Sequence, residues 1–416
     1  MKKFSLKTIG SAVMFAALMS LGCNSNASAK SIAEKEAEVP LLKGNGVVKM
    51  DDFAKEMVAS MKTGWNLGNT FEANGNIDKF SNQNQGIGSV TCWGMSEPKK
   101  ELFDAVANAS FKSVRIPVSW SNHICDKNYT IDSEWMAKVK QFVDYAISDN
   151  LIVIINIHHD NFYSESAFKY GRGFYPSNKC YEESEKFVTR IWEQICALFK
   201  DYSENDLVFE TLNEPRLRKH EHEWGYNSSC SKCKEAMDCI NNLNQKAVDV
   251  IRLSGGANAK RLIMVPSYVA APWAAFEKEF RLPEDSAKRI ALSTHAYSPY
   301  VFAMQKNKDG GTSKFTSAHK EELKNMFKSL NDKFVSKGVP VVMGEYGATN
   351  KNNLKDREEW FSVYVEEAKK YNICCVLWDN NSPNNSDESE RFGFLNRSTY
   401  QWYFPTLIEK IMAVFN

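Results

Sequence analysis

The chain has 416 residues, of which 43% are hydrophobic and 25% charged, so it can bury a large core and is neither disordered nor fibrous. Lysine and arginine number 52 against 51 acidic residues, and this near balance excludes the basic excess that attracts nucleic acid. The seven histidines are scattered, and composition shows no metal-binding tract and no low-complexity region. Function therefore has to be inferred from local motifs.

Residues 1–29 have the layout of an export signal: a basic MKKFSLK, an apolar TIGSAVMFAALMSLG and a small, polar CNSNASA. The apolar run is shorter than the roughly 20 residues that cross a bilayer, so we expect no transmembrane anchor. Two processing routes are open. Cleavage after Ala29 would release a secreted protein, whereas cleavage before Cys23 with acylation of that cysteine would leave a lipoprotein at the cell surface.

Residues 30–49 are charged and small, without helical or strand periodicity, and are predicted to be a linker to one catalytic domain over 50–416. Nine cysteines follow Cys23, and an exported chain favours disulfides. We interpret the cluster of Cys230, Cys233 and Cys239 as the source of a disulfide that pins a surface loop. A zinc site is the weaker reading, because no second CxxC or histidine pair accompanies it. We expect a monomer.

Eight short apolar, β-branched runs alternate with amphipathic stretches such as SEWMAKVKQFVDYAIS, EESEKFVTRIWEQICALFK and DREEWFSVYVEEAKK. The runs are, in chain order, TGWNLGN, SVRIPVSW, IVIINIHH, LVFETLNEP, RLIMVPSY, IALSTHAYS, PVVMGEYG and CCVLWDN. Strands that are apolar on both faces need helices outside and packed side chains inside, so the pattern predicts an α/β fold, a closed (β/α)8 TIM barrel. A doubly wound open sheet is disfavoured because no GxGxxG turn follows the first run.

The predicted domain is longer than the roughly 250 residues that are typical of this barrel. The excess falls in four segments that follow strands, and we therefore expect elaborated loops around the barrel mouth. These segments are residues 70–96, 160–181, 215–233 and 299–318.

Polar or aromatic side chains follow most of the predicted strands, where barrel enzymes place their chemistry. They are Asn69, Arg115, His158, His159, Asn213, Glu214, His295, Tyr297, Glu345 and Trp378. Any one of them could be a satisfied core group, but their convergence on one opening predicts an active site. Glu214 and Glu345 suit glycosidic cleavage, in which one carboxyl protonates the leaving oxygen and the other attacks the anomeric carbon. Retention of configuration requires the two groups to be roughly 5–5.5 Å apart.

His158, His159 and Asp160 also suggest a metal hydrolase. Neighbouring residues of a strand point to opposite sides, so we expect that the two histidines cannot bind one ion. The prediction is therefore an enzyme with no metal and no cofactor.

The runs GWNLGNTFEA, RIPVSW, INIHHD, ETLNEP, HAYSPY, GEYGATN and WDN resemble glycoside hydrolase family 5, and most of all its subfamily 4 of endoglucanases, over about residues 55–415. The resemblance implies that Glu214 is the acid/base and Glu345 the nucleophile. It also implies supporting roles: Asn213 on the sugar 2-hydroxyl, Arg115 and Tyr297 beside the nucleophile, His158 and His295 around the reaction subsite, and Trp378 under the sugar ring. The loop RLRKHEHEWGYNSSCSKC departs from the usual subfamily pattern.

Aromatic side chains stack on the apolar faces of sugars. Trp93, Trp224 and Trp273 fall in mouth loops or just beyond a strand and are predicted substrate platforms, as is the group Phe162, Tyr163, Phe174 and Tyr175 after the third strand. In contrast, Trp135, Trp192, Trp360 and Trp402 lie in helical patterns, and we expect them to pack in the core or on the surface.

Together these patterns predict an exported, retaining endo-β-1,4-glucanase whose partner is a cellulose-like or mixed-linkage β-glucan. Xyloglucanase, mannanase or xylanase activity on the same scaffold remains open, because loops read the hydroxyl orientation. A noncatalytic glycan-binding barrel is the third possibility, although such a protein would be expected to have lost one of the two glutamates.

Overall fold

The computed structural model describes residues 49–75, 84–168 and 172–415. The predicted export signal, and the predicted linker apart from its last residue, lie outside these ranges. No helix within them is both long enough and apolar enough to cross a membrane.

Eight parallel strands form a closed barrel in chain order, and β8 pairs with β1 to complete it. The strands are β1 Thr63–Asn66, β2 Ser113–Ile116, β3 Ile152–Asn156, β4 Leu207–Glu210, β5 Ile263–Pro266, β6 Ile290–His295, β7 Val341–Tyr346 and β8 Cys374–Leu377. Each predicted apolar run contains one of them, so the prediction of a (β/α)8 barrel is confirmed.

Ten α-helices accompany the strands within the described ranges. They are α1 Asp52–Met61, α2 Glu101–Asn108, α3 Ser133–Ser148, α4 Tyr181–Phe199, α5 Ser231–Leu253, α6 Pro272–Ala275, α7 Tyr300–Ala303, α8 Ser317–Lys333, α9 Leu354–Lys370 and α10 Pro405–Ala413. In α4 the buried residues Phe187, Ile191 and Ile195 recur every four positions. This spacing places them on the one face that packs against the barrel.

The first helix lies at the amino-terminal end of the barrel. The Asp51 side chain caps α1 by accepting a hydrogen bond from the Ala54 amide, and it pairs with Arg289 just before β6 at 2.7 Å. The backbone amides of Met50 and Asp51 donate to carbonyls that precede β7 and β6. The helix therefore fastens this end, and the functional opening is at the other.

Long connections follow β1, β3, β4 and β6 at the carboxyl ends of the strands, as predicted. A fifth long connection, residues 378–404 after β8, was missed. Phe392 and Phe394 of this connection are buried in the core, and residues 395–402 form a hairpin closed by an antiparallel bridge between Leu395 and Trp402.

Buried Asp379 joins this fifth connection to β1. Its carboxylate accepts hydrogen bonds of 2.8 Å from Trp65 Nε1 and from the Leu395 amide, and further bonds from the amides of Phe394 and Asn381. One carboxylate thus satisfies four donors from three parts of the chain, and it fixes the loop that begins at Trp378.

Replacing this carboxylate should lower stability. The Asp379→Ala variant leaves those four donors buried without their acceptor, and we expect a loss of about 3 kcal/mol in the free energy of unfolding. Denaturant unfolding measures the loss. Asp309→Ala, which removes an exposed carboxylate, is the control; equal stability of the two variants would contradict the assignment.

Candidate active site

Arg115 of β2 lies at the centre of the polar cluster inside the barrel mouth and is completely buried. Its Nη1 is 2.8 Å from Glu345 Oε1 and 3.0 Å from Asn66 Oδ1. Its Nη2 is 2.7 Å from Asn213 Oδ1 and 2.7 Å from Glu210 Oε2, and Nε donates to the same Glu210 oxygen at 2.8 Å. Four of these contacts are hydrogen bonds and the fifth, from Nη2 to Glu210, is a close ion-pair contact, so all three guanidinium nitrogens are engaged.

Glu345 stands near the end of β7 with both carboxylate oxygens bonded. Arg115 binds Oε1, and the Tyr297 hydroxyl donates to Oε2 at 2.9 Å. The predicted contacts of Arg115 and Tyr297 with this carboxylate are therefore present. Two strong donors on one carboxylate are the arrangement that favours its ionised form.

Glu214 faces Glu345 from the segment after β4. Its Oε1 lies 2.9 Å from Nδ1 of His295 at the end of β6. One oxygen of Glu214, one nitrogen of His295 and one oxygen of Glu345 all lie within 4.8 Å of one another. The side chain of Glu214 is 18% exposed and that of Glu345 is 7% exposed, so both meet at an accessible surface.

Burial and neighbouring charges shift the three pKa values in different directions. Burial raises the pKa of Glu345, against the opposing charges of His295 and Arg115. At Glu214 burial is outweighed by the hydrogen bond and charge of His295 and by the charge of Arg216, which lower the pKa of the carboxyl. Burial also opposes protonation of His295, but the charge of Glu345 and the bond with Glu214 raise its pKa.

These directions differ from the simplest expectation, in which Glu214 alone holds the proton of the acid. The hydrogen bond between Glu214 and His295 couples the two side chains, so they share one proton. Before substrate reacts, this proton is bound to the imidazole. The proton lies one hydrogen bond away from the Glu214 carboxylate.

Two glycines make room for this arrangement. A Cβ on Gly344, next to Glu345, would lie 3.0 Å from His295 Nε2. A Cβ on Gly68 would lie 2.9 Å from the ring of Trp378 and 2.8 Å from the Asp379 carbonyl oxygen. A side chain at position 68 would therefore displace Trp378 or the Asp379 backbone, and one at position 344 would require the His295 ring to shift by a few tenths of an ångström.

The prediction that His158 and His159 point to opposite sides is wrong. Strand β3 ends at Asn156, so strand alternation does not apply, and the two rings meet edge to face with centroids 4.4 Å apart. Burial lowers the pKa of both imidazoles, that of His159 to about 3. Both are therefore neutral hydrogen-bonding groups. The carboxylate of Asp160 turns away and accepts from the amides of Trp120 and Ser121.

The trio of Glu214, His295 and Glu345 has donor atoms close enough to share a metal ion. A cation there would have to compete with Arg115 and Tyr297, which already occupy both oxygens of Glu345. The donors that surround Glu345 thus stabilise its carboxylate anion directly, without a metal ion.

The mouth aromatics are placed as follows. Trp378 is half-buried, and its ring is parallel to that of His158 with centroids 6.2 Å apart. Trp93 lies 5.7 Å from the His159 ring. The guanidinium of Arg216 covers the ring of Trp224 at 3.9 Å.

Trp273 in α6 is 43% exposed. It and Trp93 leave ring surface accessible, so their role as platforms stays a prediction. Phe162, Phe174 and Tyr175 are buried among other side chains, so the prediction that they are platforms is wrong. Tyr163 is half-buried, with the amine of Lys219 over its ring.

Trp135, Trp192 and Trp360 are fully buried, as expected. Trp402 is half-buried, as that expectation allowed, but it precedes α10 and is not helical.

The polar residue of β1 that enters the Arg115 cluster is Asn66, whereas Asn69 lies beyond the strand, half-buried, and its amide donates to Glu72. Three members of the cluster were missed: Asn66, Asn156 and Glu210. Asn156 donates to Glu210 Oε2 at 2.8 Å, and Ser293 donates to Glu210 Oε1. Each of the three is the last residue of its strand, so a polar residue within a predicted apolar run is the signal that could have identified them.

The nine described cysteines are free thiols, so the predicted disulfide pin is not formed. Cys230 precedes α5, and Cys233 and Cys239 are buried along that helix. Burial raises the pKa of both buried thiols to about 12, which keeps them protonated and unreactive.

A closed barrel with two facing carboxylates at its mouth is an arrangement found in glycoside hydrolases. The family model for cellulase, glycosyl hydrolase family 5, matches residues 74–384. The chain belongs to this family, which confirms the resemblance seen in the sequence.

Three relatives place the chain within the family. Endoglucanase A of Clostridium longisporum is 39% identical over 86% of this chain, which spans 65% of that protein. A family 5 lichenase from Caldicellulosiruptor sp. F32 superposes with a TM-score of 0.82 at 39% identity, covering 91% of this chain and all of that one. A GH5-4 broad specificity endoglucanase from Ruminococcus champanellensis with bound cellotriose has a TM-score of 0.78 at 36% identity, covering 87% and 99%.

The Tyr297→Phe variant tests the environment of Glu345. Loss of the hydroxyl donor should raise the pKa of Glu345 further, so the acid limb of the kcat/KM profile should move up by about one pH unit. Tyr346→Phe is the control, because that hydroxyl does not contact the carboxylates. An acid limb at the same pH in both variants would contradict the assignment.

Proposed function

We propose that the protein is a retaining endo-β-1,4-glucanase that cuts internal bonds of β-glucans, with Glu345 as nucleophile and Glu214 as acid/base. The observation that carries this proposal is that one oxygen of Glu214 and one of Glu345 approach to within 4.8 Å across the mouth. An inverting enzyme needs carboxyl groups roughly 6.5–9.5 Å apart to hold a water between them, so the close approach of one oxygen from each carboxylate favours the retaining geometry.

In the first step Glu345 attacks the anomeric carbon as the bond to the leaving oxygen breaks. The leaving oxygen takes a proton from Glu214, and the hydrogen bond from His295 replenishes that proton. The Glu345 carboxylate becomes a neutral glycosyl ester and so loses its negative charge. At the same time the pair of Glu214 and His295 gives one proton to the departing chain and so loses one positive charge. Charge and protons therefore balance within the cluster.

In the second step the same pair accepts a proton from water. The resulting hydroxide attacks the anomeric carbon, the ester bond to Glu345 breaks, and the electron pair returns to the carboxylate beside Arg115. The cluster is then restored, and two inversions give net retention.

Asn213 is oriented for the sugar 2-hydroxyl. Its Oδ1 accepts from Arg115 at 2.7 Å, which directs Nδ2 away from the guanidinium. An amide N–H held in this way donates to a hydroxyl, and such bonds strengthen in the oxocarbenium-like transition state. The neutral rings of His158 and His159 add further hydrogen-bonding groups, and Trp378 supplies an apolar ring face.

The substrate class we propose is cellulose-like and mixed-linkage β-glucan. The long mouth loops and the accessible rings of Trp93 and Trp273 suit a polymer that passes across the mouth. The relatives include a lichenase and a broad specificity endoglucanase, which supports tolerance of mixed linkages. Xyloglucan, mannan and xylan are the alternatives that a polysaccharide panel distinguishes.

Azide rescue distinguishes the role of the nucleophile from that of the acid/base. Glu345→Ala and Glu214→Ala should each lose at least ~10⁴-fold in kcat/KM on β-glucan. With an activated aryl cellobioside, azide should restore turnover in both: the Glu345 variant should form an α-glycosyl azide and the Glu214 variant a β-glycosyl azide. NMR identifies the anomers. The opposite assignment of anomers would reverse the roles, and full activity of either variant would exclude the mechanism.

We propose further that the chain is exported by residues 1–29. The basic, apolar and small-polar order of this segment supports export, and Cys23 supports a lipoprotein route. In a bacterial host, Cys23→Ala should move the protein from the membrane fraction to the medium or periplasm. An unchanged distribution would exclude lipidation, and retention of the intact chain in the cytoplasm would exclude export.

A further inference from the structure

A groove of about 600 Å³ lies on the outer wall of the barrel between α2 and α10. Its floor includes Ile408 and Met412 of α10, and the aromatic residues Tyr400 and Trp402 form part of its lining. None of the lining residues belongs to the carboxylate cluster, so the groove is a separate feature of the surface.

The two aromatic rings come from the hairpin after β8. Trp402 is half-buried, and its ring lies 5.7 Å from that of Phe111, which fixes its position. Tyr400 has a φ of 58°, in the left-handed region that favours glycine, and its amide donates to the Asn396 carbonyl at 2.7 Å. A bulky residue in this conformation costs free energy, and this cost is consistent with a functional role of the Tyr400 side chain.

Most of the polar groups around the rings make no hydrogen bond within the described part of the protein. Among the described residues, no hydrogen-bond partner is found for Trp402 Nε1, the Tyr400 hydroxyl, or the side chains of Asn108, Glu101 and Glu409. The groove is also lined by Asp104, which pairs with Lys100, and no lysine or arginine is among its lining residues. An apolar ring face bordered by carboxylate and amide groups suits a ligand with many neutral hydroxyls, and it disfavours an anion.

We propose that this groove is a secondary binding site for a β-glucan chain, with Trp402 and Tyr400 as the stacking platform. The choice of ligand rests on the function proposed above. A second copy of the protein is a poor occupant, because symmetric pairing would bring the acidic rims of two grooves together. The volume lies within the range of 300–1,000 Å³ that holds a small ligand, so a short stretch of chain fits.

Binding at two places on one polymer raises the effective affinity for long chains and not for short ones. Groove variants should therefore bind polymer more weakly and leave the cleavage of short substrates unchanged. This difference between polymer binding and short-substrate cleavage distinguishes the effect of the groove from that of the catalytic cleft.

The experiment is native affinity electrophoresis of the full chain in gels that contain mixed-linkage β-glucan, in the Glu345→Ala background so that the polymer is not cut. Trp402→Ala and Tyr400→Gly should each weaken polymer binding by about three- to tenfold. Glycine adopts the φ of residue 400 without strain, so Tyr400→Gly tests the ring in a variant that keeps the fold. Tyr371→Ala, which removes a half-buried ring outside the groove, is the matched control.

With Glu345 intact, the same groove substitutions should leave kcat/KM on an aryl cellotrioside within twofold of the unmodified chain. Unchanged polymer binding in both groove variants would overturn the proposal. A dimer in sedimentation that dissociates on Trp402→Ala would overturn it in favour of self-association. If the unmodified chain cleaves no β-glucan yet is retarded through the groove, the proposed function fails and the groove proposal stands.

Discussion

The active site depends on one buried guanidinium. Arg115 brings together side chains from β1, β4, β7 and the segment after β4, and each of its three nitrogens donates to at least one acceptor. A buried cation is tolerated only when it is paired and fully bonded, and here Glu210 and Glu345 both supply negative charge. Because their charges raise the pKa of Arg115 against the effect of burial, the guanidinium stays protonated. It therefore holds Glu345 in place and orients the amide of Asn213.

The same cluster divides two carboxylates into two roles. Glu345 is fixed by donors on both oxygens, whereas Glu214 is bonded to an imidazole that can give or take a proton. The difference between the two lies in their neighbours, since both are glutamates at one barrel mouth. His295 links the two carboxylates, because it contacts Glu214 directly and lies 3.7 Å from Glu345. Gly344 preserves the space that the imidazole occupies.

The barrel could be predicted because strands buried on both faces are continuous apolar runs, and all eight are visible along the chain. The facing pair Glu214 and Glu345 could be predicted because strand ends in a barrel converge on one opening. Glu210 and Asn156 were missed because each is the last residue of its strand, whereas the apolar runs in the sequence continue past both residues to the next polar groups. Strand alternation misled the prediction for His158 and His159, because the sequence does not mark Asn156 as the end of β3. The surface hairpin with Tyr400 and Trp402 was missed since its aromatic residues look like core.

The most direct test of this account is to trap the glycosyl-enzyme with an activated 2-deoxy-2-fluoro-cellobioside and to locate the added mass by peptide mass spectrometry. The fluorine slows hydrolysis of the ester bond, so the nucleophile remains labelled. We predict a single label on the peptide that carries Glu345. A label on Glu214 or Glu210, or rapid turnover of the reagent to product of inverted configuration, would contradict the account.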